Sequence, residues 1–112
     1  MMYVLKIITD KEVFMLPKNR PIHPGKFIEE DILKELGITE KQLAESIGVT
    51  PKIIRELVNG KSRISMDIAL RLGRFTKTSA QMWLNLQNAV DLWDAYHSPV
   101  FQEIERIQPY AA

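Results

Sequence analysis

The stretch LAESIGVTPKIIRELVNGKSRIS, Leu43 to Ser65, decides the fold. It reads as two short helices joined at a glycine, followed by a basic loop. Thr39 is placed to cap the first helix, which runs through Ile47 and ends at Gly48. Thr50 caps the second, and Pro51 takes its first helical position, where a missing N–H leaves no bond unmade. That helix reaches about Val58, where Asn59-Gly60 signals a turn. Leu43, Ala44 and Ile47 share one face of the first helix. Val49, Ile54 and Leu57 or Val58 fill the other side of the joint. Ala44 is small enough for a close approach, and Gly48 can take the positive φ of the turn without a Cβ clash. The pattern T-x-x-x-L-A-x-x-x-G-V-T-x-x-x-I, Thr39 to Ile54, is a helix-turn-helix arrangement, whose second helix enters the DNA major groove. Thr50, Pro51, Lys52, Ile53 and Arg55 then lie on or near its exposed N-terminal half. The competing reading is an αα corner in an ordinary bundle, since helix pairs joined by glycine are common.

Outward from this stretch the chain reads as all-α. A helix from about Pro24 or Gly25 to Leu36 carries Ile28, Ile32 and Leu36 at four-residue steps, with Phe27 and Leu33 on the same apolar face. Gly37 suits its left-handed end. Ser65 caps a fourth helix over about 66–76. Thr78 or Ser79 caps a fifth, to about Tyr96, which Ser98-Pro99 stops, and VFQEIERI offers a last short helix. Residues 1–16, rich in Val, Ile, Tyr and Phe, read either as a short strand or as sequence upstream of a start at Met15. The prolines of PKNRPIHPG make 17–25 an extended connector. The expected organisation is an extension or connector at 1–20, a five-helix domain at 21–97 and a tail at 98–112.

Charge is uneven. Residues 26–45 carry a net −3 and residues 78–112 a net −3. Between them, Lys52, Arg55, Lys61, Arg63, Arg71, Arg74 and Lys77 against Glu56 and Asp67 leave 50–77 at +5. A concentrated basic face is the footprint of nucleic-acid binding; a solvated helical surface gives the same count. With 112 residues and no cysteine, the chain suggests one small core and excludes disulfides and thiolate metal sites, as suits a reducing cytosol. No apolar run is long enough to span a bilayer, and no signal peptide is read at the N-terminus. His23 and His97 lack a third ligand at a metal-binding spacing, so neither metal nor cofactor is expected. Glu29, Glu30 and Asp31 point in different directions from the first turns of a helix, where they favour its dipole. Ser46 and Ser62 lack a nearby base. Nothing supports catalysis.

The fifth helix carries a broad apolar arc. Trp83, Leu86, Val90, Trp93 and His97 recur at three- and four-residue steps, widened by Met82, Ala89, Leu92 and Tyr96. Such an arc either fills the core alone or packs the core on one side and a second subunit on the other.

From Pro21 to Tyr96 the chain also resembles the HigA-type antitoxins, or virulence-associated protein I, within the lambda-repressor-like helix-turn-helix class. The resemblance covers 76 of 112 residues. It rests on HPG at 23–25, LA at 43–44, GV at 48–49, NGK at 59–61, IS at 64–65, ALRL at 69–72 and WLNLQ at 83–87, in that order. It implies a homodimer that represses its own operon on double-stranded operator DNA and neutralises a RelE-like ribonuclease toxin of the HigB type. Carried over position by position, Gln42 lies near the DNA backbone and Thr50 caps the recognition helix within reach of a phosphate. Pro51, Lys52 and Arg55 occupy variable base-facing positions, and Asn59, Lys61 and Arg63 belong to a phosphate-contacting loop. Pro51 stands where other members have Arg, so the operator sequence does not carry over. Trp93 and Tyr96 are the expected dimer anchors. The expectation is therefore a cytoplasmic repressor and antitoxin that binds rather than catalyses. The alternative is a protein-interaction module that masks a toxin with little DNA binding.

Overall fold

The computed structural model describes residues 17–110. The expectation of an N-terminal strand falls on residues 1–16 and lies outside the described residues. Helix α1, Pro24–Phe27, runs without a break into a π-helical stretch, Ile28–Lys34. It is followed by α2, Glu40–Ile47; α3, Pro51–Val58; α4, Met66–Thr76; α5, Ala80–Tyr96; and α6, Pro99–Ile104. All elements among the described residues are helical, in agreement with the all-α reading.

The starts of these helices follow from local chemistry. Thr39, Thr50, Ser65 and Ser79 sit in extended backbone, and each side chain accepts the N–H three residues on, which would otherwise be unpaired. At α2 the exchange is reciprocal. The Gln42 Oε1 accepts the Thr39 N–H at 2.9 Å while the Thr39 Oγ1 accepts the Gln42 N–H at 3.0 Å. Gly48 ends α2 at φ 77°, and the Val49 N–H reaches back to the Ala44 carbonyl at 2.9 Å. Helix α4 ends the same way, but on a lysine: Lys77 holds φ 57°.

One core joins the first five helices. Ile28 and Ile32 meet Leu43, Ala44 and Ile47 of α2, Ile54 and Leu57 of α3, Ala69 and Leu72 of α4 and Trp83 of α5. Two close backbone approaches fix the packing. Gly25 places the first turn of α1 against the Leu57 carbonyl of α3, and Gly73 places α4 against the backbone where α5 begins.

Two expectations about helix faces are corrected. Leu36 is not on the buried face of the first helix but 56% exposed. The π stretch widens the turn and rotates the residues that follow it, so Ile38, beyond Gly37, packs on the core instead. In α5 the buried line is Trp83, Gln87 and Val90, and Leu86 is only partly buried. A glutamine occupies the centre of a face expected to be apolar, because its amide meets polar partners there, described below.

Candidate nucleic-acid interface

Helices α2 and α3 form the expected joint. Leu43, Ala44 and Ile47 are buried on α2, and Ile54 and Leu57 on α3, with Val49 and Val58 packed at the edge. With one face of α3 committed to the core, the opposite face presents Pro51, Lys52, Ile53 and Arg55 to solvent. The Thr50 Oγ1 accepts from the Ile53 N–H at 3.4 Å, a long bond that leaves its lone pairs accessible. Thr50 and Lys52 therefore stand at the exposed N-terminal end of the second helix, as the sequence suggests, and Arg55 is exposed one turn further on, in its last turn. Gln42 is exposed on α2, with its Oε1 held by the cap described above and no partner for its Nε2 among the described residues. Asn59 and Lys61 are exposed on the turn after α3, and Arg63 is exposed just before Ile64, which is buried again.

The electrostatics are less simple than the sequence count. Four of the seven cations at 50–77 have acidic partners. Arg55 pairs with Glu40 of α2 at 3.3 Å, Lys52 lies 3.9 Å from Glu56, and Arg63 pairs with Asp91 of α5. Arg71 pairs with Asp67 at 2.9 Å and also donates to the Ile47 and Gly48 carbonyls at 2.7 and 3.3 Å. It satisfies the C-terminal end of α2, which is a structural task. Among the described residues, Lys61, Arg74 and Lys77 have no ion-pair partner. The basic middle is thus partly neutralised by the acidic flanks, and its exposed pairs are weak enough to be exchanged for another anion.

Sequence reasoning missed Gln87. It is 2% exposed. Its Oε1 accepts the Ile64 N–H at 2.8 Å, and its Nε2 donates to Asp91 at 3.1 Å. The loop that bears Lys61 and Arg63 is thereby fixed to α5. The spacing Trp83, Gln87, Val90 was the available signal, since four- and three-residue steps keep the glutamine on the core side of the helix.

Trp93 and Tyr96 are half-buried within the chain itself. The Trp93 Nε1–H donates to the Pro17 carbonyl at 3.2 Å, and its ring stacks on His97 with centroids 3.7 Å apart. Tyr96 tilts against Phe101 of α6 at 4.5 Å. Beside them Arg20 clamps Asp94 through two bonds of 2.8 and 2.9 Å, which hold the Asp94 carboxyl below its ordinary range. Around this end of the molecule Leu92, Val100, Ile104 and Ile107 are exposed. At the other end of the connector, His23 caps α1 by accepting the Gly25 N–H at 2.9 Å on Nδ1. Burial, then the charge of Arg20, pushes its pKa down. No cluster of three or more His, Cys, Asp or Glu with metal-binding geometry exists among the described residues.

Comparison with known proteins agrees with this fold. A helix-turn-helix family model matches residues 30–83. Antitoxin HigA-1 of Vibrio cholerae is 38% identical over 77 residues, covering 69% of this chain and 72% of that protein. Virulence-associated protein I of Dichelobacter nodosus is 44% identical over 71 residues, covering 63% and 66%. The Pseudomonas aeruginosa antitoxin HigA, solved with the higBA promoter, superposes with a TM-score of 0.76 at 38% identity, covering 82% of this chain and all of that one.

Proposed function

This chain belongs to the HigA-type family of helix-turn-helix antitoxins, and from that premise we propose that it is a DNA-binding repressor of its own operon and the antitoxin of a toxin–antitoxin pair. It is a binding protein of a regulator family, not an enzyme. The observation that carries the reading is helix α3. Its apolar face is locked into the core by Ile54 and Leu57, while its opposite face offers Lys52 and Arg55 to solvent, with Thr50 at its start. A helix so placed reads base edges, and Gln42, Asn59, Lys61 and Arg63 around it supply phosphate contacts. A structural neighbour solved with promoter DNA supports DNA as the ligand.

The partner is a HigB-like toxin, a RelE-like ribonuclease encoded beside this chain, and the work is cytoplasmic. No helix among the described residues is long and apolar enough to cross a membrane. We further propose a homodimer. One recognition helix buries too little surface for tight operator binding, and pairing over two half-sites about one helical turn apart supplies the rest. The exposed apolar side chains around Trp93 and Tyr96 offer a surface for that pairing.

A second reading has one observation in its favour. Glu40, Glu56 and Asp91 neutralise three of the cations on the interface, as suits an antitoxin that masks its toxin and barely touches DNA. A titration of the DNA upstream of the gene separates the two. The repressor binds it with salt-sensitive affinity, and a Lys52/Arg55 double alanine variant loses about 1–3 kcal/mol for each base contact removed. Equal affinity of that variant and the wild type would exclude α3 as the reader.

A further inference from the structure

We infer that Asp91 is a built-in competitor for the DNA phosphate that Arg63 contacts, held in place by Gln87, and that it sets the affinity of the chain for all DNA below what its cations allow. The inference rests on the reading of Arg63 as a phosphate contact and adds to it a residue on a different helix.

The geometry distinguishes this ion pair from a chance meeting of two mobile side chains. One oxygen of Asp91 pairs with Arg63; the other accepts the Gln87 Nε2–H at 3.1 Å. Gln87 is buried and is fixed at its other end by the Ile64 N–H. One amide therefore holds both the carboxylate and the backbone of the residue next to Arg63. The short Asp91 side chain is anchored, so ordering costs fall almost wholly on the arginine. Arg63 itself is two-thirds exposed, with a side-chain exposure of 66%. Its guanidinium has five donors, so an approaching phosphate finds some of them open. The phosphate must nevertheless share them with a carboxylate that cannot move away. The remaining negative charge also repels the phosphate across a short distance. Both effects act against binding. Neither depends on base sequence, because phosphate carries none. Lys61, two residues earlier, has no acidic partner among the described residues, so the restraint falls on one cation of the loop rather than on the whole loop.

Asp91→Asn removes the charge and keeps the shape. Titration of labelled operator and unrelated duplexes against the full chain, over a range of salt, reads the effect. The expected result is tighter binding to both duplexes by the same factor, about two- to fivefold, the size of one exposed ion pair. The salt dependence steepens as Arg63 becomes a full phosphate contact. In an Arg63→Ala background the gain shrinks, because only the charge repulsion is left to relieve. Asp31→Asn makes the same charge change on an exposed side chain of the first helix, away from this pair and from the proposed subunit contact, and leaves affinity at the wild-type value. Unchanged or weaker binding by Asp91→Asn, with a wild type that does bind the operator, overturns the inference alone. Equal tightening by Asp31→Asn overturns it too, as a general charge effect. An Arg63→Ala protein that binds as the wild type does overturns the phosphate role of Arg63 and the inference with it. A wild type that fails to bind the operator overturns the proposed repressor function. Thermal melts check that each variant is folded; if Asp91→Asn is not, Asp91→Ser carries the same test.

Discussion

Gly25→Ala tests whether the recognition helix is held by a backbone-to-backbone contact. A Cβ at Gly25 would lie 1.9 Å from the Leu57 carbonyl oxygen, 2.8 Å from its carbon and 3.1 Å from the His23 Nδ1. Ordinary contact begins near 3.4 Å, so α1 and the last turn of α3 must separate by a large fraction of the difference. No rotamer can relieve this, because the obstacle is main chain and Gly25 is itself buried. Overpacking of this kind costs about 1–3 kcal/mol, occasionally more. Alanine recovers roughly 0.5–1 kcal/mol of helix preference over glycine. An approach of 1.9 Å to main chain belongs at the upper end of that cost, so the net expectation is a loss of about 2 kcal/mol, or a fall in Tm of roughly 10 °C for a domain of this size. Urea unfolding followed by circular dichroism should show a lower midpoint at constant slope. Gly60→Ala is the control. Gly60 has φ 71° and nothing within 4 Å of its added Cβ, so only the left-handed backbone penalty applies, about 1 kcal/mol. A Gly25→Ala protein as stable as the wild type, or less affected than Gly60→Ala, would refute the reasoning.

Other consequences can be checked one residue at a time. The His23 pKa is lowered in the folded chain, and its Nδ1 must be unprotonated to accept the Gly25 N–H. The unfolded chain therefore binds the proton more readily. The stability His23 contributes is complete above its ordinary value of 6.5 and is lost as pH falls through the lower folded value; a His23→Asn cap should flatten this part of a stability–pH curve. Lys77→Gly relieves a left-handed lysine at φ 57° and should raise stability by about 0.5–1 kcal/mol in a urea midpoint, whereas a loss would mean the side chain matters more than the backbone. Gln87→Leu leaves the buried Ile64 N–H without its acceptor and should cost about 1–3 kcal/mol, with faster exchange of that amide as the local sign. Trp93→Glu should leave a folded monomer by light scattering; a folded dimer would move the subunit contact elsewhere, and an unfolded chain would make Trp93 core.

The features legible in the sequence are those that short-range chemistry determines. Thr39, Thr50 and Ser65 announce helix starts because a hydroxyl three residues before an orphan N–H has one good use. Gly37, Gly48 and Gly60 announce ends because each takes a positive φ. The joint of Leu43, Ala44 and Ile47 against Ile54 and Leu57 follows from helical spacing alone. Leu36 failed because its orientation depends on a change of helical phase inside Ile28–Lys34, which a fixed period does not contain. Gln87 failed because hydrophobicity ranks a glutamine outside the core, and only a partner 23 residues away makes its burial favourable. The candidate interface residues were legible as types and spacing, but their ion pairs were not, since every partner except Glu56 comes from another helix.

Those ion pairs change what the charge pattern means. The acidic segments on either side of the basic middle are not bystanders: Glu40 comes from the first and Asp91 from the last, and each reaches a cation of the interface. The alternation along the chain is thus partly an internal complement that the fold closes on itself. Salt then acts twice. It screens the attraction between cations and phosphate, which weakens binding, and it screens the pairs that hold Arg55 and Arg63 back, which favours their release. The two effects oppose each other. A chain of this design loses DNA affinity with salt less steeply than seven cations at 50–77 would suggest. On the proposed reading, more of its selectivity then falls to Lys52 and Arg55, whose contacts with base edges would carry the sequence information that phosphates lack.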